Sequence, residues 1–289
     1  MRIVVYHETM ILIQHRIAGT RGRRCAVAAA IALLPALAAG SSPALAEPCT
    51  PPGTAPVVLA GVENWQTLVT QSGERLTPSG IADFSALATG REATGSAADA
   101  ERALSDAFSG LAGKSLGVRY LADRPDRRGR RPVLLYSDDR LVQALLIADG
   151  LAIAYPSGET LPCAKRLLAA ERLARTARRG FWKGDRDWIA APRADQFAGR
   201  LNRFVILQGR VLSVGTRKNR TYLNFGGRWS SDVTVEVPAG RRDLFGGTPA
   251  LEALSGKWLR VRGFAVEKSG PMIEVRHVWQ IEVLATRPR

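Results

Sequence analysis

The stretch Asp126-Arg127-Arg128-Gly129-Arg130-Arg131-Pro132-Val133-Leu134-Leu135-Tyr136 passes from a charged, glycine-containing turn into an unbroken apolar run. The turn chemistry and the β-prone residues after it predict a strand over residues 133–136. Leu141-Val142-Gln143-Ala144-Leu145-Leu146 and Asp149-Gly150-Leu151-Ala152 follow. They predict a helix over about 139–148 that stops at Gly150. Farther on, Leu167-Leu168-Ala169-Ala170-Glu171 and Ala174-Arg175 lead to Gly180-Phe181-Trp182. This reads as a helix over 163–179 with Leu167, Leu168, Ala174 and Ala177 on one side and Gly180 as its C-cap. Arginines near its end suit the macrodipole.

Outward from this centre, residues 57–60, 67–70 and 116–121 form short β-prone runs. Residues 97–111 set Ala100, Ala103, Leu104, Ala107, Phe108 and Leu111 at helical spacing behind Ser96, a candidate N-cap. Beyond residue 200 the chain is nearly all strand: 204–214, 220–225, 232–237, 257–266 and 272–284. Gly226-Gly227, Pro238-Ala239-Gly240 and Ser269-Gly270-Pro271 separate the runs, and 249–254 is helix-compatible. Five strands with a helix after the third is the order of an OB barrel, although a generic small antiparallel sheet fits the same runs. The expected class is α+β: a mixed domain over 47–184, a linker over 185–200 and a mainly β, OB-like domain over 201–289.

The 289 residues leave room for a sizeable core, and 46% hydrophobic residues exclude a disordered chain. Arg21-Gly22-Arg23-Arg24, an apolar stretch over 26–40 and Ala44-Leu45-Ala46 have the pattern of a secretory leader cleaved after Ala46. Met10 offers an alternative start. The expectation is export, to the periplasm or outside the cell, with no stable membrane span once the leader is removed. The alternative is an uncleaved anchor, for which 15 residues are short against the roughly 20 a span needs. His7, His15 and Cys25 leave with the leader, so the mature chain keeps His277, Cys49 and Cys163. That excludes His-rich metal sites, paired-histidine phosphodiesterases and four-ligand cysteine zinc sites. A Ser-His-Asp arrangement could be built only on His277, which lies in a β-run and reads as a core or edge histidine. In an exported chain Cys49 and Cys163 are candidates for a disulfide; two unrelated thiols are the alternative.

Lys and Arg number 41 against 26 Asp and Glu, a formal charge of +15. Without residues 1–46 it is +11, of which +3 belongs to residues 47–200 and +8 to 201–289. The positive balance therefore sits mostly in the C-terminal third.

The succession from Asp126-Arg127-Arg128-Gly129-Arg130 through Gly180-Phe181-Trp182 resembles the staphylococcal thermonuclease family over about residues 110–183. The C-terminal part also resembles a domain appended to such nucleases in some bacteria, through Tyr222-Leu223-Asn224-Phe225-Gly226, the stretch 256–263 and Gly270-Pro271-Met272-Ile273-Glu274-Val275. The resemblance implies a small OB-like barrel with three helices and calcium-assisted phosphodiester hydrolysis. In that chemistry carboxylates hold the ion, a glutamate positions water and two arginines neutralise the transition state. The family's Asp-Gly-Asp-Thr turn falls on Asn64-Trp65-Gln66-Thr67, so both aspartates are amides here. Its Arg-Leu-x-Gly-Ile-Asp-x-Pro-Glu strand falls on residues 77–85. Thr77 replaces the arginine, Ala82 the metal aspartate and Ser85 the glutamate. Shifting the register by one brings Asp83 near the metal position. Arg130 alone of the catalytic set remains, and no metal ligand set is expected.

The resulting expectation is a catalytically degenerate, thermonuclease-like protein that retains anion or nucleic-acid binding and needs no cofactor. Two alternatives remain: a calcium-dependent phosphodiesterase with relocated residues, and an envelope protein that binds another protein. Candidate contacts to single-stranded nucleic acid or another polyanion are Arg127, Arg128 and Arg130 in the first part. In the second they are Arg217, Lys218, Arg220 and Tyr222. Aromatic and basic side chains interleaved on strands bind single strands by stacking and phosphate attraction. Tyr222 and Phe225 fall on opposite strand faces, so at least one is expected in the core; Trp229 lies nearby.

Overall fold

The computed structural model describes residues 49–51, 55–87, 92–183, 188–228 and 232–286, with 92–96 as backbone only. All belong to one compact unit, Ala46–Arg289. The expected leader and Trp229 lie outside the described residues.

The first half contains β1 (Val57–Asn64), β2 (Thr67–Thr70), β3 (Arg75–Pro78), β4 (Ile81–Ala82), α1 (Glu92–Ser109), β5 (Ser115–Tyr120), β6 (Arg130–Ser137) and β7 (Arg140–Leu141). It continues with α2 (Val142–Ala148), β8 (Ile153–Ala154) and α3 (Ala164–Thr176). The second half contains β9 (Ile189–Ala190), β10 (Phe204–Arg210), β11 (Ser213–Thr216), β12 (Arg220–Asn224), β13 (Thr234–Pro238), α4 (Gly247–Glu252), β14 (Trp258–Glu267), β15 (Pro271–Glu274) and β16 (Ile281–Leu284). An α+β first half with three helices and a mainly β second half agree with the sequence.

The expected pair of OB barrels is corrected. The N-terminal strands form a six-stranded sheet, β3-β2-β1-β5-β6-β7, in which β3 also pairs with β6. Irregularities at Leu59/Gly61 and Val62/Asn64 turn β1 toward β2, and it meets β5 over only two residue pairs. The C-terminal sheet has eight strands rather than five. Its path is β11-β12-β13-β15-β14-β10-β9, with β16 beside β14, and among the described residues no pairing joins the end strands β11 and β9. Two expected strands are each split in two. Residues 204–214 break between β10 and β11, and 272–284 break at a 3₁₀ turn, Val278–Gln280. Buried Gln280 fixes that turn: its Oε1 accepts from the Arg276 and His277 N–H groups, and its amide donates to the Arg262 carbonyl at 3.0 Å.

Helix limits shift for local reasons. Asp138 and Asp139 take left-handed φ values of 46° and 62° and form the β6–β7 hairpin turn. They are therefore unavailable to α2, which begins at Val142. Helix α1 starts at Glu92, a turn earlier than Ser96 suggested. Helix α3 ends at Thr176, and Gly180 serves a tight approach instead of capping it. A Cβ on Gly150 would lie 2.1 Å from the Arg179 carbonyl oxygen, and one on Gly180 2.5 Å from the Gly150 oxygen.

Strand β6 buries Val133, Leu134, Leu135 and Tyr136 in succession, as a strand covered on both faces does. Leu167, Ala170, Glu171 and Ala174 form the buried stripe of α3. Cys49 and Cys163 form a disulfide, with Cα atoms 5.2 Å apart and 114 residues between them in sequence. A third cluster joins the halves: Phe84, Leu87, Ile153, Ala174 and Trp182 pack with Trp188, Phe204 and Ile206. Within 185–200, Trp188 and Phe197 are buried and β9 pairs in parallel with β10. Among the described residues no helix is long and apolar enough to cross a membrane.

Candidate nucleic-acid interface

The fold brings residues 64–66, Asp83–Ser85 and Arg130 together around Trp65-Gln66, and their polar groups are engaged with one another. Asn64 Oδ1 accepts the Gln66 N–H at 3.0 Å, closing a local turn. Asp83, 6% exposed, accepts Trp65 Nε1–H on one carboxylate oxygen at 2.9 Å. Its other oxygen takes the backbone N–H and hydroxyl of Ser85, capping the 3₁₀ turn Phe84–Ala86. The second half covers the same segment. Arg203 donates to the Ser85 carbonyl at 2.8 Å, and fully buried Phe84 meets Trp188 at a ring-centroid distance of 5.2 Å.

Arg130 opens β6 at the end of the arginine loop. Its Nε and Nη2 grip one oxygen of Asp126 at 3.0 and 2.7 Å, and Nη1 donates to the Gln66 carbonyl at 3.2 Å. Side-chain hydrogen bonding from Arg130 holds the Asp126 carboxyl down at about 2, against the opposing effect of burial. The planar fork that suits phosphate is thus turned onto a neighbouring carboxylate. Arg127 and Arg128 are exposed on the loop. Arg131 lies 3.7 Å above the Tyr120 ring and pairs with Glu74 at 3.2 Å.

Calcium requires several oxygen ligands. Among the described residues no group of three or more His, Cys, Asp or Glu could hold a metal ion. With amides at 64 and 66 and Asp83 occupied, these residues do not fit the ion that the resemblance implies.

The C-terminal candidates lie on another surface. Thr221 and Leu223 of β12 point into the core, leaving Arg220, Tyr222 and Asn224 on the outer face. Phe225 is the core aromatic of the expected pair. Tyr222 stands opposite Gly215 of β11 and Glu236 of β13. It helps line a cleft of about 440 Å³ with Arg217, Asn224, Thr234, Lys268 and Met272. Glu236, fully buried, is paired with Arg220 and with Lys268, the latter at 3.2 Å. Arg217 and Lys218 are exposed in the β11–β12 turn. The structure therefore gathers Arg217 and Tyr222 at one cleft, while Arg220 is engaged by Glu236 beside it. Among the described residues no hydrogen bond or ion pair links them to the Arg127–Arg128–Arg130 loop.

Sequence reasoning missed Lys268, which the β14–β15 turn delivers to the cleft, and a buried ionic cluster between the halves. Arg262, 1% exposed, makes two 3.0 Å bonds to the Glu171 carboxylate, which also accepts the Ala154 N–H at 2.9 Å and pairs with Arg175. Glu282 joins through Arg172, Arg175 and Arg260. Burial works to raise the Glu171 pKa, but Arg262 and Arg175 overcome it and hold the carboxyl below its ordinary value. Burial lowers Arg175 to about 10, so it stays charged at neutral pH. Leu167 and Ala170 already place position 171 on the inner face of α3. The stripe was the available signal; the partner on β14 had none.

Comparison with curated proteins finds no match. The family described as staphylococcal nuclease homologue matches residues 100–184, from within α1 past α3 and including Arg130. Residues 64–67 and 77–85 fall outside that match. Over under a third of its length, the chain is thus similar to the staphylococcal nuclease homologues.

Proposed function

We propose that this is an exported, thermonuclease-like protein that does not hydrolyse phosphodiesters and instead binds nucleic acid or a similar polyanion through its basic surfaces. The observation that carries the reading is the double commitment of the catalytic-equivalent groups, Arg130 to Asp126 and Asp83 to Trp65 and Ser85. A group already saturated by neutral or opposite partners contributes little to a developing phosphorane charge. Burial of Phe84 under the second half further restricts approach to residues 82–85. The positive excess of residues 201–289 and the Tyr222 cleft favour binding there.

A zymogram of the purified protein with calcium, on DNA and on RNA, tests the catalytic half of the proposal. No clearing is expected. Robust cleavage abolished by chelator would overturn it and favour the relocated-site phosphodiesterase. Fluorescence anisotropy with labelled single strands at two salt concentrations tests the other half. Affinity should fall steeply with salt as counterions are released. No binding at low salt would reject it in favour of the envelope partner-binding reading.

A further inference from the structure

The Tyr222 cleft is more than a basic patch. Its floor is the outer face of β12, β13 and β15, where Thr234 sits opposite both Asn224 and Met272 in register. Tyr222 is partly exposed on that face and offers an aromatic surface, while Met272 is 6% exposed and adds an apolar, polarisable thioether. Cations arrive from separate turns: Arg217 from β11–β12 and Lys268, nearly half exposed, from β14–β15. Glu236 lies buried beneath and fixes Arg220 and Lys268. The volume, about 440 Å³, is within the roughly 300–1,000 Å³ of small-ligand sites.

We infer that this cleft takes one nucleotide of a single strand, its base stacked on Tyr222 over Met272 and its flanking phosphate on Arg217, with Lys268 held at the rim by Glu236. The inference rests on the polyanion reading above and adds what a polyanion surface lacks: a place for an unpaired base. A duplex keeps its bases stacked inside and presents only phosphates, so it gains nothing from Tyr222. A sulfated polysaccharide would engage the cations but would offer no planar base.

The test uses the whole protein and four labelled probes of matched charge: an oligothymidylate, the same length of abasic backbone, a duplex, and heparin. The oligothymidylate should bind roughly ten- to a hundredfold more tightly than the abasic strand, the range for stacking one base. Tyr222→Ala should erase that difference, and Tyr222→Phe, which keeps the ring, should retain it. Arg217→Ala should lower the salt slope by about 0.7, one phosphate on a single strand, with stacking preference intact. Equal affinity for the abasic strand, duplex or heparin and oligothymidylate would overturn the stacking site while leaving polyanion binding in place. Failure of all four probes to bind at low salt would instead remove the reading on which it rests. An unchanged Tyr222→Ala would place the base elsewhere and overturn the assignment.

Discussion

Replacing Glu171 by Gln keeps the shape of the side chain at the junction of α3 and β14 and removes only its charge. Arg262 would then stay 1% exposed with its two 3.0 Å partners reduced to one neutral oxygen and an amide that cannot accept. Arg175 would lose the same carboxylate. Breaking a buried pair on one side costs about 3–5 kcal/mol, chiefly through the charge left without compensation. For a domain of this size that lowers the melting temperature by roughly 6–20 °C. Arg172→Gln, which removes the outermost pair to Glu282, should cost about 1 kcal/mol or less, since Arg172 is largely exposed. The pH dependence supplies a second signature. The folded Glu171 pKa is depressed, so its contribution is complete above the ordinary carboxylate pKa and is lost as pH falls through the folded value. Wild type and Glu171→Gln should therefore differ by a constant amount near neutrality and converge in acid. Thermal melts followed by near-UV circular dichroism at several pH values measure both. A cost below about 1 kcal/mol at neutral pH, or a gap that does not narrow in acid, would refute the argument that this carboxylate ties the halves together.

Asp126→Asn should release the Arg130 guanidinium and strengthen polyanion binding a few-fold at low salt; anisotropy showing weaker or equal binding would count against the view that Asp126 withholds Arg130 from phosphate. Reducing the Cys49–Cys163 bridge, which spans 114 residues, should lower stability by up to about 5 kcal/mol on the chain-entropy account, read as a melting shift on adding reductant or in Cys163→Ser. Gly150→Ala would force a Cβ to 2.1 Å from the Arg179 oxygen at a φ of 73°, and should cost about 2–3 kcal/mol in urea melts.

Strands β2, β5, β6 and β12 to β14 and helices α1 to α4 were visible in the sequence because each carries its own period and its own turn residues. Tyr222 was visible as half of an aromatic pair three positions apart, of which Phe225 proved to be the buried member. Cys49 and Cys163 were candidates for a bridge in the sequence, with unrelated thiols as the alternative, and the structure pairs them. By contrast, nothing local marks the break between β10 and β11, and the 3₁₀ turn rests on Gln280, which links the nearby Arg276 and His277 N–H groups to the distant Arg262 carbonyl. At the first break the Val211 and Leu212 N–H groups bond to the distant carbonyls of Lys257 and Asn224. The two-barrel expectation failed for that reason: strand-rich runs were counted correctly as runs, but their subdivision and lateral pairing are non-local.

The thermonuclease comparison was likewise legible only as a set of identities. Sequence put amides, Ala82 and Ser85 at the positions where the resemblance implies ion-holding carboxylates, because charge is a property of the residue itself. It could not show that Arg130, the surviving member, is turned onto Asp126, or that Asp83 is spent on Trp65 and Ser85. Nor could it show that Lys268 and Arg217, fifty-one residues apart, reach one cleft. Composition and periodicity determined which groups were available and which faces were buried, since both are set by local spacing. Which charges remain free to meet a ligand was decided by tertiary structure, because a charge is neutralised or exposed by neighbours that the chain brings in from far along its length.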